Sequence, residues 1–288
     1  MAPPEEHAEA GTWRRGRSGA GELSLRVASA LVLVPLALGS AYLGGAAFLA
    51  VWGAAAGIVL WEWTALVGEP RHVPVMAAGA AAFSSGAVLF GLGRPGAALG
   101  VLALGAIAVT GLAGSGRKAW IAAGGTYAGA MLAAPAALRS DAEFGLLAIV
   151  LLFAVVWTTD VMAYFAGRAL GGPKLWPAIS PSKTWSGAIA GTVGATIVGS
   201  ALSTLAGLDR MVILALVCAI LSVAAQAGDL LESALKRRFG AKNASELIPG
   251  HGGLMDRLDG FVAAAALACL LGLMRAGFAA PARGFLIW

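Results

Sequence analysis

FGLLAIVLLFAVVWTTDVMAYFAG, residues Phe144 to Gly167, decides the fold. The stretch carries a single charge, Asp160, over 24 residues, and about 20 apolar residues in a helix cross a hydrocarbon core of about 30 Å. Inside that core the backbone has no water to bond, so a helix that pairs its own N–H and C=O groups is the expected form. A charge near the middle of a span costs about 2.5–3.5 kcal/mol on insertion scales. Asp160 must therefore face protein or a water-filled cavity. At 3.6 residues per turn Asp160, Tyr164 and Arg168 share one helix face with Gly167 beside it, which makes a polar stripe leading into the following loop.

Eight further apolar runs of similar kind surround this one, approximately Val27 to Tyr42, Ala46 to Val67, Val73 to Leu92, Gly96 to Leu112, Ala119 to Leu138, Gly187 to Leu208, Met211 to Gly228 and Phe261 to Met274, and only Glu62 interrupts them with a charge. The whole chain of 288 residues is 59% hydrophobic and 12% charged, against about 45–50% and about 25% in soluble domains; a water-soluble globular protein is excluded. The net charge of +5 would suit a nucleic-acid binder, but the charges sit in the gaps between apolar runs and point to a membrane. The 41 glycines suit helices packed closely in a bilayer. Cys218 and Cys269 lie inside apolar runs and read as free packing cysteines.

The expected architecture is an all-α, polytopic integral membrane protein of about nine transmembrane helices with a cytoplasmic N-terminus. Residues 1–25 read as a disordered cytoplasmic tail, 26–150 as the N-terminal transmembrane helices, and 151–288 as a C-terminal transmembrane region with cytoplasm-facing loops. Lysine and arginine support this orientation: with the N-terminus inside, 15 of the 20 fall on the inner side, as the positive-inside rule requires. The two long polar loops, Arg168 to Ser186 and Asp229 to Gly260, then both face the cytoplasm. A bacterial inner membrane is the expected location.

Four further places carry polar groups that need a reason. Glu62, between Trp61 and Trp63, reads as an interfacial carboxylate in an aromatic belt. The loop Ile179 to Gly187 offers Ser180, Ser182, Lys183 and Thr184 at a helix start, where unsatisfied N–H groups favour phosphate. Lys183-Thr184 resembles a Walker A ending, but the glycine spacing is absent and a P-loop is rejected. If the eighth helix continues through Phe239, Asp229, Glu232, Ser233, Lys236 and Arg237 form one polar face projecting from the membrane, the helix being roughly 43 Å long. Finally, Pro249-Gly250-His251-Gly252-Gly253 is a glycine-rich turn able to approach an anion, followed one helical turn apart by Asp256 and Asp259. Carboxylates beside such a turn suit Mg²⁺, which shares its oxygen ligands between protein and substrate phosphate. The combination implies chemistry on metal-bound phosphates.

At these residues the sequence resembles the CDP-diacylglycerol synthases, or phosphatidate cytidylyltransferases. Their signature is met by Ser233, Leu235, Lys236, Arg237, Lys242, Ser245, Ile248, Pro249, His251, Gly252, Gly253, Leu254, Asp256, Arg257, Leu258 and Asp259, with the spacing kept throughout. Upstream, Asp160 to Arg168, Ser180 to Trp185 and Gly228 to Ser233 are similar to further family stretches. The specific matches span about Trp157 to Gly260. Asn243 departs from the family's aspartate and Ser186 from its frequent Glu or Gln. A neutral amide is a weak metal ligand, so Asn243 is either outside the metal site or a mark of altered activity.

The resemblance implies transfer of CMP from CTP to phosphatidic acid, giving CDP-diacylglycerol and pyrophosphate, with Mg²⁺ as cofactor and K⁺ as a second ion. It implies Asp229 and Asp256 as metal ligands, and these two with Lys236 and Arg237 as the catalytic set. Substrate contacts are expected from Ser180, Lys183, Thr184, Ser233, Lys242 and Arg257, with Asp160, Glu232 and Asp259 binding substrate or holding the basic residues. His251 would donate to leaving pyrophosphate or serve the turn. The acyl chains would stay in the bilayer and enter between helices, and a homodimer is implied. The alternatives are a CTP-dependent enzyme acting on another lipid phosphate or a polyprenol, and a membrane transporter; a transporter would show inverted repeats and acids at mid-depth, which this chain lacks.

Overall fold

The computed structural model describes residues 19–248 and 252–288, with side chains from Val27 onward. In chain order the long helices are α1 (Gly19–Leu43), α2 (Gly45–Leu66), α3 (His72–Gly91), α4 (Pro95–Leu112), α5 (Lys118–Arg139), α6 (Gly145–Leu170), α7 (Trp185–Leu205), α8 (Met211–Arg238) and α9 (Met255–Ala276), followed by a 3₁₀ turn and the short α10 (Pro281–Leu286). Eight of them are long and apolar enough to cross a membrane, and α1 contributes a shorter apolar helix, Val27–Leu43. The all-α polytopic expectation holds. α1 already begins at Gly19, inside the stretch read as tail; residues 1–18 lie outside the described residues.

The expected loop between α6 and α7 contains a two-stranded antiparallel hairpin, β1 (Lys174–Trp176) and β2 (Ser180–Thr184), with Lys174 opposite Thr184. Thr184 also starts α7, its hydroxyl accepting from the Gly187 N–H at 3.1 Å, which satisfies one of the helix's orphan donors.

Lipid tails offer no hydrophobic drive between helices, so close packing of small residues must hold them together. α7 presents Gly187, Gly191 and Gly194 to α6. A Cβ at Gly191 would stand 2.8 Å from the Thr159 carbonyl oxygen, and one at Gly187 2.6 Å from that of Ala163. α8 and α9 meet in the same way: a Cβ at Gly228 would stand 2.7 Å from the Asp259 carbonyl oxygen, and one at Gly260 3.2 Å from that of Ala225. These approaches set the carboxylate-bearing turns of α8 and α9 side by side. Between α2, α6 and α9 an aromatic stack fills the centre: Trp52 and Phe153 each lie 4.9 Å from Phe261, and Trp157 continues the stack at 5.1 Å from Phe153. The outer faces carry exposed Val73, Ile107, Ile197 and Leu216, as a lipid-facing surface should. Cys218 and Cys269 are free and buried.

Contacts between loops define two ends. At one end Glu69, after α2, accepts from the Gly114 N–H at 2.9 Å, Arg117 lies over the Phe239 ring, and Arg237 reaches the Ile179 carbonyl. At the other, Arg139 donates to the Ala41 carbonyl at 2.6 Å and Asp141 accepts from the Arg283 N–H at 3.1 Å. The hairpin, the end of α8 and the start of α9 therefore share one end of the bundle, where the sequence places most of its basic residues.

Candidate active site

A polar cavity of about 740 Å³ opens at that end between α6, the hairpin, α7, α8 and the start of α9. Asp160, Lys183, Thr184, Asp229, Lys236, Asp256, Arg257 and Asp259 line it, together with Tyr164, Arg168, Lys174, Gln226 and Asn243. The stripe read from α6 is present: Arg168 donates to the Tyr164 hydroxyl at 3.1 Å.

Two of the three cavity lysines, Lys183 and Lys236, are anchored by carboxylates. Lys183, on β2, pairs with Asp229 on α8, and Ser233, one turn on, lies 3.4 Å from the other Asp229 oxygen. Lys236 pairs with Glu232 at 2.5 Å and with Asp256 across on α9. The remaining Asp256 oxygen accepts from the N–H groups of Ala244 at 2.9 Å and Gly253 at 2.7 Å, so this carboxylate fixes the loop before α9 as well as the lysine. Two lysines and three carboxylates thus interlock across β2, α8 and α9.

Not every expected residue enters the cavity. Ser180 is buried in the hairpin. Thr184 does line the cavity, but its hydroxyl is engaged as the α7 cap and with Ser186 at 3.0 Å. Glu232 is 4% exposed and reaches the site through Lys236, as Ser233 does through Asp229. Arg237 points along the surface, donating to the carbonyls of Ala241 at 3.1 Å and Ile179 at 3.4 Å, where it ties the α8 end to the hairpin. Lys242 is exposed and outside the lining. His251 lies outside the described residues. Conversely, Lys174 and Gln226 line the cavity without having been singled out. Gln226 donates to Thr192 at 3.0 Å; an amide inside an apolar run was its only signal.

The reading of Glu62 needs correction. It is wholly buried, and it accepts from Ser245 Oγ at 2.6 Å and from the N–H groups of Leu254 at 2.8 Å and Met255 at 2.6 Å. It is an internal ligand of the loop before α9, because α2 packs against that loop instead of presenting this turn to the interface.

The cavity oxygens suit a hard cation. Mg²⁺ is commonly held by one or two carboxylates and completes its shell with water and substrate phosphate, and Asp229 with Asp256 supply that much. Among the described residues no group of three or more acidic, His or Cys side chains forms a ready cage, so the fit is to an ion shared with a bound phosphate.

A second, apolar cavity of about 610 Å³ adjoins the first, and Asp160, Arg257 and Asp259 line both. Its walls come from α1 (Ala30, Leu33, Val34, Ala37), α2 (Ala50, Trp52, Ala54, Ile58), α6 (Phe153, Trp157) and α9. An oily space meets a cationic, carboxylate-rich one across a single arginine.

A membrane-embedded bundle with a basic and acidic cavity opening onto an apolar groove fits the class of lipid-handling transferases, and the chain belongs to the cytidylyltransferase family, whose family model matches residues 24–274. Among its relatives, the phosphatidate cytidylyltransferase of Brucella abortus biovar 1 (strain 9-941) is 42% identical over 262 residues, covering 90% of this chain and 95% of the relative. The phosphatidate cytidylyltransferase of Bacillus subtilis (strain 168) is 43% identical over 126 residues, 43% of this chain and 47% of the relative, and that of Staphylococcus haemolyticus is 46% identical over 127 residues, 44% and 48%.

Proposed function

We propose that the protein is a CTP:phosphatidate cytidylyltransferase, a multi-pass nucleotidyltransferase of phospholipid biosynthesis that makes CDP-diacylglycerol and pyrophosphate. The observation that carries this reading is the junction of the two cavities at Arg257, which offers one place where an acyl-bearing phosphate from the bilayer meets a nucleotide triphosphate from water.

A phosphatidate oxygen forms a bond to the α-phosphorus of CTP while the bond from that phosphorus to the oxygen bridging the β-phosphate breaks, and pyrophosphate leaves with the electron pair. The nucleophile is already anionic at neutral pH, so the barrier is repulsion between anions and not proton removal. Fixed cations that hold the reacting groups in line lower it most. Lys183 and Lys236 project into the cavity from opposite elements, held in place by Asp229, Glu232 and Asp256, and present fixed positive charge to substrate phosphate. Arg257, at the junction, takes the lipid phosphate, and Arg168 with Lys174 on the hairpin side takes the triphosphate tail. Mg²⁺, with K⁺ as a second ion, would neutralise further phosphate charge, with Asp229 and Asp256 as its proposed ligands. The proposed setting is a bacterial inner membrane with the cavity on the cytoplasmic side, where CTP is found, and the family resemblance favours a homodimer.

The test is detergent-solubilised protein given labelled CTP, phosphatidate and Mg²⁺, with lipid-extractable label as the readout. Label should enter lipid only with both phosphatidate and divalent metal, stop on chelation, and fall by about 10²–10³ in Asp256→Asn, as when a group stabilising transition-state charge is removed. No CDP-lipid from folded wild type under Mg²⁺ and K⁺ would sink the reading.

A further inference from the structure

We infer that Glu62 is a positioning residue for this reaction, a clamp from α2 that holds the start of α9 and thereby sets where Asp256 stands; the kinetic part of this inference rests on the function proposed above. Glu62 lies in the N-terminal half, almost 200 positions from its partners in sequence, and lines neither cavity. It is nevertheless wholly buried and receives three hydrogen bonds of 2.6–2.8 Å, two from the first backbone N–H groups of α9 and its lead-in and one from Ser245.

The α9 start has no side-chain cap of its own at Leu254, and a helix's first N–H groups need external acceptors. Glu62 supplies them, and its charge also suits the positive end of the helix dipole. From the other side Asp256 binds the amides of Ala244 and Gly253. The segment is thus held between two carboxylates, one facing the cavity and one from behind. Gly253 is the contact point: a Cβ there would stand 2.5 Å from Glu62 Oε1. If Glu62 releases, the backbone carrying Asp256, and through it Lys236, loses its rear support.

The discriminating variant is Glu62→Gln. The amide is isosteric, but its nitrogen cannot accept, so at least one of the three donors is stranded. Glu69→Gln is the control, since that carboxylate is buried at the same end but binds Arg71 and Gly114 instead. Hydrogen–deuterium exchange should show amides 252–258 exchanging about tenfold faster in Glu62→Gln, with α5 and α6 unchanged and Glu69→Gln like wild type in this segment. In the transfer assay kcat should fall about tenfold while KM for CTP stays within about twofold, the pattern of an interaction that serves the transition state. Ser245→Ala, which removes one donor and leaves the helix amides bound, should move both readouts the same way by less. Unchanged exchange at 252–258 overturns the clamp whatever the activity, as does acceleration spread evenly over the bundle. Faster local exchange with unaltered kcat overturns its role in the reaction. Because exchange needs no turnover, a failure of the transferase reading would leave wild type inactive while the exchange pattern still stands or falls separately.

Discussion

Lys236 is the residue on which the site's electrostatics turn. It satisfies Glu232, itself 4% exposed, and Asp256 on the facing helix. Removing one partner of a buried pair leaves an uncompensated charge and costs about 3–5 kcal/mol, whereas replacing the pair by apolar groups of similar volume is often neutral. Lys236→Met should accordingly lower thermal stability in detergent by about that amount and abolish transfer. Adding Glu232→Leu should recover part of the stability and none of the activity, because it removes one of the two stranded carboxylates, leaving Asp256 to its backbone donors, and supplies no cation to phosphate. If the double variant is no more stable than the single, Glu232 is not the charge being compensated. Most of these side chains could be found from the sequence because carboxylates and lysines at one-turn spacing in an apolar chain are costly unless used. Glu62 was missed for a related reason: its flanking tryptophans match an interfacial belt, and nothing local in the sequence tells a carboxylate at the interface from one buried against a loop far along the chain. Arg237 was expected at phosphate because it shares the polar face that starts at Asp229 and matches the family signature, yet eight residues at about 100° each leave it about 80° round from Asp229, and that rotation turns it to the hairpin.

Of the nine expected spans, eight are long and apolar enough to cross a membrane and the first is a shorter apolar helix; all were legible from hydrophobic run length, and the polar continuation of α8 to Arg238 followed from the periodicity of its charged face. α9 begins at Met255, ahead of its apolar run, because Asp256 and Asp259 face the cavity and hide the helix from a hydropathy reading. The hairpin was invisible: three and five residues with Pro181 inside are too short for an alternation pattern, and what fixes them is packing against α7 and Trp185, whose N–H donates to the Pro173 carbonyl at 3.0 Å. The α6–α7 contact explains why this hairpin can present Lys183 to Asp229. With the Thr159 carbonyl 2.8 Å from where a Cβ at Gly191 would stand, Gly191→Ala must push α7 away from α6. We expect Gly191→Ala to lower the melting temperature and cut transfer together, with a stability loss of about 1–3 kcal/mol, the range for overpacking. Gly57→Ala on α2, where a Cβ meets nothing within 4 Å, should leave both within error. Equal behaviour of the two variants would show that the glycine face of α7 does not set the spacing.

Across the whole bundle the division of labour is spatial. The C-terminal helices supply the charged groups, while α1 and α2 supply most of the apolar wall that meets them at Arg257. If the acyl chains lie in that groove, filling it should act on the lipid and spare the nucleotide. Ala54 lines the groove and is exposed to it, whereas Glu62, two turns along the same helix, is buried against the α9 start. Ala54→Trp adds bulk at the wall without touching the polar cavity. A chain displaced from several apolar contacts loses about 0.8 kcal/mol per methylene no longer buried, so loss of a few methylenes should raise KM for long-chain phosphatidate about tenfold or more. Since the lost contacts are the same in ground and transition states, kcat should change little, and KM for CTP should not move. Short-chain phosphatidate, which places less of itself in the groove, should be affected several-fold less, so the ratio of the two lipids' kcat/KM is the quantity to measure. An equal penalty on long and short chains, or a shift in KM for CTP alone, would mean that the acyl chains leave by another face and that the apolar cavity serves only to separate α1 from α6.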